Sequence, residues 1–295
     1  MTLSLDGRTK ICGIIGHPLE HTLSPLMHNA AFVHLGLNFI YLPFNVFPED
    51  LERAIAGLRA LNFVGFNVTY PYKENVINYL DELDKGAGLA GAVNTVVRCG
   101  DKLRGCNTDG AGLVRFLETE AGFSAGGKRV LVLGAGGAAK AIAVHLALAG
   151  AKEITIANRT FEKAGKLAEV INAKTASSSR ALPWNPSRDS REGEENAPLK
   201  EAVAAADLVV QTTPLGMHPK DNVCPSFPYE ALYKRQVVVD IIYHPARTLF
   251  LMEAAKRGAR VYNGTGMLLH QGAMAFELWT GKEPPLKIMR RALGL

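Results

Sequence analysis

Short apolar runs alternate along the chain with segments whose apolar positions recur every third or fourth residue, the signature of strands interleaved with amphipathic helices. From Lys10 the run ICGII predicts a strand, and Ser24-Pro25 opens a helix that Gly36 closes. Ser at the N-cap, Pro at the first helical position and Gly after the end are the expected punctuation. FIYLPFNV predicts a second strand and Pro48 a second helix; FVGFNVT predicts a third strand, leading to a helix over Pro71 to Leu83. After TVVR and a turn at Gly100-Asp101, a further helix is expected to begin near Asp109. Strands separated by single helices require crossover connections and so predict a parallel sheet.

A second series starts at Lys128: KRVLVLG, a helix to Gly150, EITIANR, a helix to about Asn172, then DLVVQTT and QVVVDIIY. The order suits a nucleotide-binding sheet. Between Ala176 and Ala197 the sequence turns polar and irregular, which predicts a surface insertion. From Gly264 onward Met267, Leu268, Met274, Phe276, Leu278 and Trp279 recur at helical spacing, as helices packing back on the first domain would. The expectation is an α/β fold. Residues 1–108, completed by C-terminal helices over 265–295, form an α/β substrate domain, and residues 109–264 form a Rossmann-type, doubly wound parallel-sheet domain.

A chain of 295 residues, 47% hydrophobic and 21% charged, suits a two-domain globular protein. The net charge of +5 comes from dispersed residues with no basic block, which excludes a clustered nucleic-acid footprint but suits anionic ligands. Cys12, Cys99, Cys106 and Cys224 form no Cys-x-x-Cys pair, so reduced thiols and a cytoplasmic setting are expected. Asp6, Arg8 and Lys10 precede any apolar run, unlike a secretory signal, and Lys140 and His145 interrupt the longest apolar stretch, so no membrane span is expected. His21 and His28 lack a third ligand, and no metal site is expected.

Candidate chemistry begins at VLVLGAGGAAKA, where a strand runs into Gly134-Ala135-Gly136-Gly137-Ala138-Ala139 and then a helix. Gly134 permits the tight turn, Gly136 lets a pyrophosphate reach the backbone, and small Ala139 lets helix and strand close-pack. The helix N-terminus supplies N–H groups and partial positive charge. NAD enzymes usually place an acid at the end of the next strand; here stand Asn158-Arg159-Thr160, with Lys163 a turn later. Arg159 and Lys163 can pair with a 2′-phosphate that an acid would repel, so NADP is expected over NAD.

Three polar clusters lie in the first half. Thr22 and Ser24 offer two hydroxyls beside a helix N-terminus and can grip a carboxylate, though Ser24 is equally a plain N-cap. Asn67 and Thr69 share a strand face before Lys73, which the expected helix places in its first turn, where the dipole would depress its pKa; a surface lysine is the plainer reading. Asn94-Thr95 is followed by Asn107-Thr108-Asp109-Gly110, where Asp109 is either a helix cap or a catalytic acid. A Lys and an Asp sharing a hydrogen bond can manage the proton of a ketone reduction.

With these clusters in this order the chain resembles the shikimate dehydrogenases over nearly its whole length. The motifs are Thr22 to Pro25, Asn67 to Lys73, Ala90 to Thr95, Asn107 to Gly110, Gly134 to Ala139, Asn158 to Lys163, Thr212 to Met217 and Gly264 to Gln271. The resemblance implies reversible NADP-linked reduction of 3-dehydroshikimate in aromatic amino-acid biosynthesis, in a cleft between the domains of a monomer or homodimer. It implies that Lys73 and Asp109 are the catalytic pair, that Thr22 and Ser24 hold the carboxylate, and that Asn67, Thr69, Asn94 and Gln271 bind ring hydroxyls. Tyr243 would line the cleft, and Thr212, Thr213, Met217, Ile241, Gly264 and Met267 would join the cofactor site. Thr22 replaces the family's usual serine and Cys106 a usually larger or polar residue; neither removes a catalytic group, Thr22 with Arg159 and Lys163 bears on the first of two alternatives, and the intact Lys73 and Asp109 argue against the second. The first is a quinate/shikimate dehydrogenase with relaxed substrate or cofactor choice; the second is a nucleotide-sensing regulator without catalysis.

Overall fold

The computed structural model describes residues 5–20, 22–186 and 197–295, so His21 and the second half of the polar stretch lie outside the described residues. The chain divides into two compact units: the residues up to Gly112 with Leu269–Leu295, and Leu113–Leu268. Both divisions fall inside helices rather than at their starts, so Asp109 belongs to the first unit.

The first unit contains β1 (Lys10–Gly16), α1 (Ser24–His34), β2 (Phe39–Asn45), α2 (Leu51–Ala60), β3 (Gly65–Val68), β4 (Glu82–Leu83), α3 (Lys85–Ala90), β5 (Thr95–Cys99) and β6 (Lys102–Cys106). The start of α4 (Thr108–Thr119) completes this series. The sheet order is β2-β1-β3-β5-β6-β4. It is mixed rather than parallel: β1 pairs parallel with β2 and β3, but β3–β5 and β5–β6 are antiparallel. The β5–β6 pairing follows from the turn at Gly100, whose φ of 63° lets the chain return at once as a hairpin. Two further expectations are corrected. No α-helix forms over Pro71 to Leu83; a 3-10 turn at Asn75–Tyr79 gives way to β4. Asparagines favour the helix interior poorly, and the Asp81 and Asp84 amides bond instead to the Leu103 and Gly105 carbonyls. Ser24 is the first residue of α1 rather than its cap, which is Leu23.

Apolar side chains cover both faces of this sheet. One face carries Met27, Phe32 and Tyr41 against Phe276 and Trp279, and the other Ile55, Leu58, Phe66, Tyr72 and Val96. The C-terminal helices α9 (Thr265–Thr280) and α10 (Leu286–Ala292) supply part of the first core. The Trp279 indole N–H donates to the Val96 carbonyl at 3.0 Å, and a side chain at Gly65 would collide with both.

The second unit contains β7 (Arg129–Leu133), α5 (Gly137–Leu148), β8 (Glu153–Asn158), α6 (Phe161–Lys174), β9 (Ser178–Pro183), α7 (Ala197–Ala205), β10 (Leu208–Gln211), β11 (Val237–Asp240), α8 (Leu249–Lys256) and β12 (Arg260–Tyr262). Its parallel sheet runs β12-β11-β10-β7-β8-β9, the doubly wound order whose direction reverses between β7 and β10. Strands β10 and β11 are buried throughout, which is why LVVQ and VVVD read as continuous apolar runs. The polar stretch after Ala176 is corrected in its first half: Ser178–Pro183 is edge strand β9, whose serine hydroxyls bond back to the Lys152 and Ile154 carbonyls. Trp184 then enters the core. Among the described residues no helix is long and apolar enough to cross a membrane.

Candidate active site

Lys73 is held from both sides. The Tyr72 side chain before it is buried and its hydroxyl donates to the Val46 carbonyl at 2.5 Å, while the Lys73 carbonyl accepts from the Val93 amide at 2.7 Å. These bonds, not a helix, place the ammonium, so the expected helix-dipole effect on Lys73 has no structural basis. Its Nζ stands 2.6 Å from Asp109 Oδ2, with the Asp109 side chain only 9% exposed. Asp109 lies in the first turn of α4, where a negative charge is favourably placed. Asn107 Oδ1 accepts from the Gly110 amide, leaving Asp109 free of that capping role.

Around this pair runs a buried polar network. Asn94 Nδ2 donates to Asp109 Oδ1 at 3.0 Å, to Thr108 Oγ1 at 2.9 Å and to Gln271 Oε1 at 3.3 Å. Asn94 Oδ1 accepts the Thr108 amide at 2.7 Å, which fixes the orientation of its side-chain amide. Thr95 Oγ1 lies 2.9 Å from Thr108 Oγ1 and accepts from Asn67 Nδ2 at 3.0 Å. Asn67 Oδ1 accepts from the buried Tyr41 hydroxyl at 2.7 Å. Gln271 enters the network because Gly112 has no side chain: a Cβ there would lie 2.6 Å from the Gln271 backbone nitrogen.

Thr22 and Ser24 sit side by side at the start of α1, the Thr22 hydroxyl accepting from the Ser24 amide at 3.4 Å. The Ser24 hydroxyl bonds to Tyr41, linking this pair to the network, though burial still pushes the Tyr41 phenol above its ordinary range. Half-buried Thr69 leaves β3 with its methyl packed where Gly16 has no side chain. Tyr243 stands on the second unit beyond β11, its phenol pushed up by burial.

In the second unit, Gly134 follows β7 at φ 117°, and a side chain there would strike the Thr212 hydroxyl, which donates to the Leu133 carbonyl at 2.6 Å. Gly136 precedes α5 and a Cβ on it would meet nothing within 4 Å, so its backbone is open to a ligand. Gly137 and Ala138 form the first turn of α5, while Ala135 and Ala139 are buried. Beyond β8, Asn158 Nδ2 donates to the Thr160 carbonyl at 2.9 Å and braces the turn that presents Arg159. Thr160 is the N-cap residue of α6, yet its hydroxyl makes no capping bond. Arg159 and Lys163 are exposed, and among the described residues neither pairs with a carboxylate. An open backbone at a helix N-terminus, two cations and no acid at the end of β8 fit a phosphorylated dinucleotide. Across the same edge, Thr213, exposed Met217, Ile241 and Gly264 follow the strand ends, and a Cβ on Gly264 would strike the Ile241 carbonyl; Met267 is buried.

The shikimate dehydrogenase substrate binding domain matches residues 14–96, a shikimate / quinate 5-dehydrogenase model residues 117–182, and the shikimate 5′-dehydrogenase C-terminal domain residues 264–293. A shikimate dehydrogenase (NADP(+)) of Desulforamulus reducens is 47% identical over 98% of this chain and 96% of its own. The chain belongs to the shikimate dehydrogenase family. Among solved members, the shikimate 5-dehydrogenase of Listeria monocytogenes, in complex with shikimate and NAD, is 39% identical with a TM-score of 0.91, covering 99% of each chain. A quinate dehydrogenase of Corynebacterium glutamicum in complex with NAD is 32% identical with a TM-score of 0.84, covering 97% of this chain and 99% of that one.

Sequence reasoning missed two contributors to the network. Tyr41 reads as an ordinary aromatic of a strand and Gly112 as a helix glycine. Only the latter carried a signal, since a glycine inside a helix often marks a close approach.

Proposed function

We propose that this chain catalyses the reversible NADP-linked reduction of 3-dehydroshikimate to shikimate, in the cytoplasm, with Lys73 and Asp109 as its acid–base pair. The observation that carries this reading is the 2.6 Å contact between Lys73 Nζ and Asp109 Oδ2 inside a buried network of amides and hydroxyls. The Lys73 ammonium donates a proton to the substrate oxygen as the carbonyl becomes a hydroxyl, and recovers it in the reverse direction. Asp109 holds that ammonium in place, while Asn94 and Gln271, with Asn67 and Thr69, present hydrogen-bonding groups to the ring hydroxyls. Thr22 and Ser24 receive the carboxylate at the start of α1. Tyr243 contributes to the substrate site. When bound, the nicotinamide supplies the hydride to the carbonyl carbon and takes it back in oxidation. Gly134 to Ala139 would hold the pyrophosphate, Asn158 to Thr160 with Lys163 would hold the 2′-phosphate, and Thr212, Thr213, Met217, Ile241, Gly264 and Met267 would border the nicotinamide side. Replacing Lys73 by Ala will lower kcat by about two to four orders of magnitude with a smaller change in KM. An unchanged kcat would remove Lys73 from this role.

A second reading, relaxed use of quinate, is favoured by Thr22. Quinate carries an added hydroxyl at the carboxylate-bearing carbon, and the Thr22 methyl alters the space beside the carboxylate. Thr22→Ser will change the ratio of quinate to shikimate turnover if that methyl governs selectivity; an unchanged ratio would discard it.

A further inference from the structure

We infer that Gln211 and Asp240 are positioning residues that clamp the loops following β10 and β11, and so set where Thr212, Thr213, Met217, Ile241 and Tyr243 stand. The two side chains are register partners at the C-terminal ends of neighbouring strands, and neither has any exposed surface. A buried amide and a buried carboxylate at strand ends must find partners, and here the partners are loop backbone.

Gln211 Oε1 accepts the Thr213 amide, while its Nε2 donates to the Thr213 carbonyl at 3.0 Å, the Leu215 carbonyl at 3.4 Å and Asp240 Oδ1 at 3.5 Å. Asp240 Oδ1 also accepts the Ile242 amide at 3.1 Å, and Oδ2 accepts the Thr248 hydroxyl at 2.7 Å. Thr248 in turn caps α8, so the far end of the second loop is tied to the same carboxylate. The loop tips are joined as well: the His218 amide donates to the His244 carbonyl at 3.2 Å, and the two rings meet edge-on at 5.1 Å. Gln211 and Asp240 therefore brace both loops at their bases. Burial pushes the Asp240 carboxyl up to about 6, the electrostatic cost of keeping an acid there.

This inference rests on the cofactor reading of the second unit, because it assigns the clamped loops to the nicotinamide side. The test separates the two halves of NADP(H). The probe 2′-phospho-ADP-ribose carries the adenine, pyrophosphate and 2′-phosphate but no nicotinamide. In Asp240→Ala and Gln211→Leu, kcat/KM for NADPH will fall by about 10- to 100-fold, the scale of a one-ångström misplacement. Affinity for 2′-phospho-ADP-ribose, measured by calorimetry, will stay within about twofold of wild type. Asp240→Asn keeps the shape and can still accept from Ile242, so it will recover much of the loss and remains informative if Asp240→Ala does not fold. Wild-type kcat/KM in these variants, or a parallel loss of affinity for both probe and NADPH, overturns the inference. Failure of the wild-type protein to bind the probe removes the cofactor reading itself, and the inference with it.

Discussion

His28 is a neutral imidazole sealed inside the first unit. Its ring stacks on Tyr41 at 4.5 Å and lies 5.2 Å from Trp279, and neither ring nitrogen has a hydrogen-bond partner among the described residues. Burial pushes its pKa down to about 3, whereas an unfolded histidine titrates near 6.5. Below about pH 6.5 the unfolded chain takes up a proton on this histidine that the folded one refuses, so His28 contributes a loss of stability of about 1.4 kcal/mol per pH unit until about pH 3. Denaturant titrations of His28→Leu against wild type will show that slope removed; identical slopes would mean the imidazole is protonated in the fold. At the cofactor site, Arg159→Ala will raise KM for NADP by about 10- to 100-fold, the worth of one charge-assisted contact, and leave KM for NAD nearly unchanged. Equal effects on both would take Arg159 away from the 2′-phosphate. The glycine turn at Gly134 and the basic residue Arg159 are legible in sequence because neighbours on the chain define their chemistry, whereas Lys73 and Asp109, 36 positions apart, are paired in sequence only by the family resemblance. Tyr41 is not legible, because its partner Asn67 arrives from another strand.

The elements were legible where their period was strong. The parallel sheet of the second unit follows from its buried valine runs and from the glycine turn before α5. The segment after Tyr70 was misread because a proline near a polar run looks like a helix start, while edge pairing of β4 with β6 captured the backbone instead. Strand β9 was misread because an edge strand rich in serine lacks the apolar run that marks its neighbours. The join of β3 to the C-terminal helix turns on Gly65, where an added methyl meets both the Trp279 ring and the Val96 carbonyl. Gly65→Ala will therefore destabilise the first unit by about 1–3 kcal/mol or more, read as an earlier denaturant midpoint. An unshifted midpoint would show that this contact yields without strain.

Each of the two units buries one of the chain's two tryptophans: Trp279 in the first unit and Trp184 in the second. Single-tryptophan variants thus report on each unit separately. A ligand that binds only the folded state adds about 2.7 kcal/mol at a hundredfold excess over Kd. Fluorescence melts will show 2′-phospho-ADP-ribose raising the Trp184 transition and shikimate raising the Trp279 transition. Equal shifts of both reporters by either ligand would mean that the units unfold as one. The most direct test of the account is the initial rate of nicotinamide absorbance change with shikimate or quinate and NADP or NAD, in all four combinations. A strong rate with shikimate and NADP, and weak rates with the other three pairs, is the predicted result. Silence in all four would contradict the account and leave a protein that keeps the fold without the chemistry.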